Sequence, residues 1–348
     1  MRASSFLAIF IGFYIIFIYA TSTSKSHQIH PLIANVPSQE HHPNPIILQN
    51  ICPLLTTSTN CHLPSLTLLR PIISPTTTTE AIPETCLQLG TLYQFSIGTI
   101  IHTGAPKLSH LYNKYSQSIP ICVANNQPKT TSEEQQQKNQ RDHTMISFVV
   151  QSLTQHVERG FFLDIGIGND AGKASLTAAV LGYRVIAFES SYERASMLSS
   201  TFQMNKITHH GTIFNNLVSD RVERNTQEKG IPGICLSTLV PYLNVVSKAE
   251  NLPKIIVLLK ITAKDLEPLV LRGASLLFDE YQVKTIIVVL RRTTWKSCLP
   301  MDVVTALIEQ GYVMSTQDGK RLIENKEEFR RWWSKTTTEI VDVVFEKK

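Results

Sequence analysis

An α/β fold is predicted for residues 144–348, and three observations predict it. β-prone apolar runs alternate with stretches of helical periodicity. A glycine-rich loop, "GIGNDAG" (166–172), follows the first of those runs directly. The run "KIIVLLKI" (254–261) is apolar almost throughout, the pattern of a central strand covered on both faces.

Phe161–Ile165 is the first strand. "KASLTAAVLG" after the glycines places Leu176, Ala179 and Val180 on one helical face and stops at Gly182, a C-cap residue. "RVIAF" (184–188) is the second strand, with a helix over about 191–204, and "TIFNNLV" (212–218) is the third. After 254–261, a helix is expected from Asp265, an N-cap type, with Pro268 in its first turn. Its apolar face carries Leu266, Leu269, Val270, Gly273 and Leu277. "TIIVVL" (285–290), a helix near 301–310, "YVMS" (312–315) and "IVDVVFE" (340–346) complete seven strands. A polar stretch precedes the last, and no internal repeat is visible.

The rest of the 348-residue chain differs in composition. Only 13 of the 125 residues from 21 to 145 are charged, whereas 146–348 carries 25 Lys+Arg against 22 Asp+Glu. The formal charge of +5 forms no basic stripe, which argues against a nucleic-acid partner. Phe6–Ala20 is apolar without a break, on the border between a signal-peptide core and a membrane span. Ala20-Thr21-Ser22 fits a cleavage site, while Ile18, Tyr19 and the single flanking cation Arg2 fit an uncleaved anchor. Both alternatives put residues 1–24 in the membrane or lumen of the secretory pathway (Golgi or endoplasmic reticulum, or onward to secretion).

Residues 25–143 are expected to be a poorly ordered linker and partly helical extension. Pro-rich segments and "SPTTTTE" fill it to about 85, helices are expected in 85–122, and 130–143 suits an exposed loop. Four of the six cysteines lie there (Cys52, Cys61, Cys86, Cys122), where lumenal oxidation would staple a weak structure. Eight of the eleven histidines also precede residue 145, but their spacing matches no metal-ligand frame, so no metal is expected.

The glycine loop poses the choice of ligand. A P-loop needs a glycine at Ile167 and a hydroxyl at Ala174, so a triphosphate site is excluded. Gly166, Gly168 and Gly172 are one residue too widely spaced for the dinucleotide fingerprint. Asp164, two places before the first glycine, would also oppose a pyrophosphate, while suiting a cationic sulfonium cofactor by organising the loop and the cofactor's amino-acid end. Glu189 ends the second strand, where an acid accepts hydrogen bonds from ribose hydroxyls. Asp164 with Glu189 therefore favours S-adenosylmethionine.

These residues resemble a known group. "FLDIGIGNDAGKASLTAAVLGYRVIAFES" looks like the first two motifs of the FkbM-type methyltransferases, which use S-adenosylmethionine. "LSTLVPYL" (236–243) is similar to the family's Thr-Leu-Asp segment, "LLKITAKDLEPLVLRGASLL" (258–277) to its Lys-Ile-Asp-x-Glu-Gly-x-Glu segment, and "EQGYVM" (309–314) to its late Gly-Tyr turn. The likeness covers about 160–315. It implies a Rossmann-like class I methyltransferase fold, a seven-stranded mostly parallel sheet with helices on both faces. It carries cofactor roles onto Asp164, Gly166, Gly168, Gly172 and Glu189, with Ser219 and Asp220 near the adenine. Val240, Thr262, Lys264 and Asp265 depart from it, as do Arg291-Arg292, where the family has an acid.

The implied activity is O-methylation of a small-molecule or glycan acceptor; the alternative is an inactive methyltransferase-like binding or scaffold protein. Methyl transfer rests on positioning, with a base for a hydroxyl acceptor. Lys260, at the end of the fourth strand, is a candidate to orient an acceptor or, desolvated, to act as that base. It is equally a strand-flanking lysine in solvent. His209 and His210 suit a solvated loop, and Trp332-Trp333 suits packing better than a sugar platform.

Overall fold

The computed structural model describes residue 72 and residues 90–96, 118–124, 132–156, 158–168, 171–222, 231–292, 298–316, 322–336 and 340–348. The segment 1–24, expected to be a signal or anchor, and most of 25–89, expected to be a linker, lie outside them. Among the described residues, no helix is long and apolar enough to cross a membrane.

In chain order the elements are β1 (Gly90–Ser96), β2 (Ser118–Ala124), α1 (Ser132–Gln155), β3 (Phe161–Ile165), α2 (Lys173–Val180), β4 (Arg184–Phe188) and α3 (Tyr192–Met204). Then come β5 (Gly211–Phe214), β6 (Leu217–Ser219), β7 (Gly233–Cys235), α4 (Val240–Glu250), β8 (Ile255–Ile261), α5 (Glu267–Arg272) and α6 (Ser275–Glu280). The chain ends with β9 (Gln282–Arg291), α7 (Cys298–Glu309), β10 (Tyr312–Thr316), β11 (Leu322–Ile323), α8 (Lys326–Lys335) and β12 (Ile340–Lys347).

The main sheet runs β11-β10-β12-β9-β8-β3-β4-β5. Strands β9, β8, β3, β4 and β5 are mutually parallel, and β12 runs antiparallel between β9 and β10. This is the expected seven-stranded, mostly parallel, Rossmann-like sheet, extended by the two-residue β11. Alternation within the strands sends Phe161, Leu163 and Ile165 to one side and Phe162 to the other. The first side carries α4–α8 and the second α1–α3, so helices cover both faces. On the β5 edge, the amide of Ile72 donates to the Ile213 carbonyl at 2.8 Å, covering part of an open strand.

Several elements depart from the sequence expectation for local reasons. Within residues 85–122, where helices are expected, the described parts are strand β1 and most of β2, an antiparallel pair. Residues 132–143 of the polar segment are the first half of α1, because Glu, Gln, Lys and Arg are good helix formers. Its second half buries Met145, Ile146, Val149, Val150 and Leu153, which anchors the whole helix. The expected domain start at 144 therefore falls inside a helix. "TIFNNLV" splits at Asn215-Asn216: β5 stays in the main sheet, while β6 leaves it to pair with β7. Cys235, at the end of β7, is disulfide-bonded.

The C-terminus of α2 is a Schellman motif. Gly182 at φ 88 lets its own amide reach Ala179 and that of Tyr183 reach Ala178. Asp265 is not the N-cap: it and Lys264 both take left-handed backbone, at φ 79 and φ 44, Leu266 stands at the N-cap, and the helix starts two residues after Asp265.

Candidate functional site

A cavity of about 430 Å³ opens at the C-terminal ends of β3, β4, β8 and β9. It spans the point between β3 and β8 where strand order reverses, the place where open α/β sheets take their ligands. Its volume falls in the range of cofactor pockets. Gly166 and Gly168 form one wall, Phe188, Glu189 and Arg194 a second, and Thr262, Ala263, Lys264 and Arg291 a third.

Asp164 does not line this cavity. It stands opposite Lys260 in the parallel β3–β8 register, and both are buried. Lys260 Nζ donates to Asp164 Oδ1 at 2.8 Å and to the Gly166 carbonyl at 3.3 Å, while Ser175 Oγ on α2 donates to Oδ2 at 2.7 Å. Two expectations change. The Asp164 charge is met by an ammonium rather than turned on a ligand, so it is no argument against a pyrophosphate. The Lys260 amine is committed to this pair, so it is neither a strand-flanking solvent lysine nor an orienting group for an acceptor. Together they tie the first glycine to β8 and α2.

The glycines have separate tasks. A Cβ on Gly166 would stand 2.2 Å from the Thr262 carbonyl oxygen, so β3 and β8 close together only over glycine. Gly172 is not part of the lining: a Cβ there would meet Leu198 Cδ1 at 2.5 Å, so it packs α2 onto α3. Neither Gly172 nor Lys173 faces the cavity, which therefore does not rest on the N-terminal turn of α2. A pyrophosphate held in the dinucleotide manner requires that turn.

Glu189 is buried at the cavity wall. Its Oε1 accepts from the Ser191 amide at 2.8 Å, from Arg194 at 2.8 Å and from Ser190 Oγ at 3.5 Å. Its Oε2 has no partner among the described residues, which leaves a carboxyl oxygen at the wall able to accept. Asn215 donates to the Glu189 and Ser190 carbonyls at 2.9 Å and 3.0 Å, fixing the backbone from behind. Ser219 and Asp220 lie outside the lining, where Asn216, Leu217 and Val218 stand instead. Asp220 pairs with Arg272 of α5 and accepts from Ser219 Oγ.

Glu267 was not singled out from the sequence, although it matches the last acid of the Lys-Ile-Asp-x-Glu-Gly-x-Glu pattern. It is fully buried beneath the cavity; Oε1 accepts from the Ala263 amide at 3.1 Å and Oε2 has no hydrogen-bond partner. Burial pushes its carboxyl above the ordinary value of 4.5, against the pull of its own backbone amide and of Arg291. Thr262 Oγ1 and Arg291 Nε are also buried without hydrogen bonds. Arg194 and Asn215 were likewise missed; their signals are a cation five residues after Glu189 and a polar pair interrupting a strand run.

His209 and His210 form a 3₁₀ turn outside the cavity. Trp332 is buried in the core, and Trp333 stacks on Phe329 with an interplanar angle of 11°, as packing requires. Among the described residues, no group of three His, Cys, Asp or Glu is placed to hold a metal.

No family model matches the chain, and no curated protein matches it in sequence. Solved structures do resemble it in part. The precorrin-6y C5,15-methyltransferase of Geobacter metallireducens is 11% identical, covers 58% of this chain and 87% of its own, and has a TM-score of 0.32. A human methyltransferase 10 domain containing protein is 11% identical over 71% of this chain and 96% of its own, at a TM-score of 0.33. The METTL16 MTase domain is 11% identical over 76% of this chain and 88% of its own, at 0.35. These are likenesses of fold, and the chemistry of the cavity stands on its own residues.

Proposed function

We propose that this chain is an S-adenosylmethionine-dependent methyltransferase whose cofactor lies across Gly166, Gly168 and Glu189. The observation that carries this reading is the free Glu189 Oε2 at the cavity wall, in a cavity set off from the α2 N-terminus. A carboxyl oxygen there accepts hydrogen bonds from ribose hydroxyls, and the Gly166 and Gly168 backbone leaves room for the amino-acid end. Bound S-adenosylmethionine supplies an activated methyl carbon on a sulfonium sulfur.

The protein contributes position. Lys260, Asp164 and Ser175 hold the glycine loop, while Arg194 and Asn215 hold Glu189. The acceptor is a small molecule or glycan, methylated on oxygen, and it enters over β8 and β9. We place the chain at the membrane or in the lumen of the secretory pathway, where the apolar Phe6–Ala20 segment and the disulfide at Cys235 are both at home.

Calorimetric titration of the full chain with S-adenosylmethionine and, separately, with NAD tests the cofactor. S-adenosylmethionine binds and NAD does not. Glu189→Gln, which sets an amide at the wall, weakens binding roughly 10- to 100-fold, the range for a hydrogen bond to a charged group. Binding of NAD alone, or an unchanged Glu189→Gln, overturns the reading. One observation favours the alternative of an inactive binding protein: the described residues lining the cavity include no His or Asp, and the acid there, Glu189, is paired with Arg194. Incubation with methyl-labelled S-adenosylmethionine and an extract of secretory membranes separates the two, since a binding protein retains the cofactor without consuming it.

A further inference from the structure

We propose that the β8–β9 end of the cavity is a carboxylate-binding subsite and, resting on the methyl-donor reading above, that it holds the carboxylate of the acceptor. Two cations line this end: Arg291, the last residue of β9, and Lys264, just beyond β8. The Arg291 guanidinium makes no hydrogen bond with a described residue, and its Nε is buried without one. Its ionic neighbour Asp265 stands 3.5 Å from Nε and has a side chain 55% exposed, which leaves that pair open to solvent. Lys264 is exposed and has no partner among the described residues.

Beyond Asp265, little opposes these charges. Glu189 lies three strand spacings from Arg291, roughly 14 Å at the usual separation of neighbouring strands, and is already paired with Arg194. Glu267 lies below, and burial drives it toward its neutral form. Thr262 adds a hydroxyl with no partner. A planar fork of donors, a mobile ammonium and a hydroxyl suit the two oxygens of a carboxylate. A phosphate is better served by helix N-terminal amides, and the lining takes none from α2.

The chemistry of the transfer points the same way. A hydroxyl must lose a proton to accept a methyl group, whereas a carboxylate is ionised at neutral pH. The carboxylate oxygen forms the new bond to carbon, the electron pair of the old carbon–sulfur bond stays on sulfur, and no proton moves. The ester product is neutral, loses its attraction to Arg291 and leaves.

The test titrates the full chain with sodium benzoate, benzamide, inorganic phosphate and, independently, S-adenosylmethionine. Benzoate binds and benzamide does not. Arg291→Gln and Lys264→Gln each weaken benzoate at least tenfold, with S-adenosylmethionine affinity within twofold of wild type. Lys264→Gln, at an exposed position, keeps the test decisive should Arg291→Gln misfold. Benzoate binding indifferent to both substitutions overturns the proposal, as does phosphate binding tighter than benzoate. Equal loss of benzoate and S-adenosylmethionine also overturns it, because the cations would then hold the cofactor's own carboxylate. Benzoate binding that depends on Arg291 in a protein that takes no S-adenosylmethionine supports the subsite and removes the methyl-donor reading alone.

Discussion

The two ends of the cavity are built on opposite terms. At β3 and β4, Asp164 is held by Lys260 and Ser175, and one oxygen of Glu189 by Arg194 and Ser191. At β8 and β9, Thr262 Oγ1, Glu267 Oε2 and Arg291 Nε are buried without hydrogen bonds, and Lys264 and Asp265 take left-handed backbone. Each buried polar group left unmade costs about 1–3 kcal/mol, so the second end is the expensive one. The first end is thus preorganised before anything binds. The second holds polar groups that a ligand or a rearrangement must satisfy, as expected where specificity resides.

The largest way to break the contrast is to damage the satisfied end. Lys260→Met leaves a buried carboxylate without its cation and costs about 3–5 kcal/mol, measured by urea unfolding. Adding Asp164→Asn to it restores most of that loss, because the uncompensated charge is gone. If Lys260→Met unfolds like wild type, the pair is not what ties β3 to β8. Gly166→Ala comes next, at about 2–4 kcal/mol from overpacking and backbone strain together. Gly168→Ala is the milder partner: its Cβ meets nothing closer than Thr262 Cγ2 at 3.5 Å, so strain at φ 69 is its main cost. Equal losses at the two glycines would deny that closeness to β8 distinguishes them.

The satisfied end was more legible in sequence than the other. Asp164, the glycines and Glu189 are visible as strand-end punctuation, and the sheet follows from apolar runs. The Asp164–Lys260 contact is not, because it joins residues 96 positions apart and needs the β3–β8 register. Nor is the start of α5: Asp265 has the chemistry of an N-cap, yet the turn after β8 bends it into left-handed backbone. α1 was hidden because its polar half is helical only through the apolar half that follows. The resemblance implies Ser219 and Asp220 near the adenine, but Asn215-Asn216 turns the chain out of the main sheet before it reaches them.

Glu267 sharpens the comparison through pH. Its folded pKa lies above the unfolded value, so the native state holds the proton longer and stability falls as pH rises from about 4.5 through the raised pKa. Glu267→Gln carries no titrating proton and flattens that fall. Thermal melts of the two proteins between pH 4 and 8 check it. Converging curves at low pH that separate at neutral pH, with the variant higher, are expected; parallel curves contradict the raised pKa.

The smallest effect is the most discriminating. Thr262→Val removes a buried hydroxyl that satisfies nothing while keeping the branched shape of the side chain. It therefore stabilises the free protein by about 1 kcal/mol, the penalty of the unmade hydrogen bond. If the hydroxyl exists for a ligand, the same substitution weakens benzoate, so stability and binding move in opposite directions. A packing defect would improve stability and leave benzoate untouched. Unfolding midpoint and benzoate affinity measured on one preparation decide whether the unsatisfied end is a flaw in the fold or a site in it.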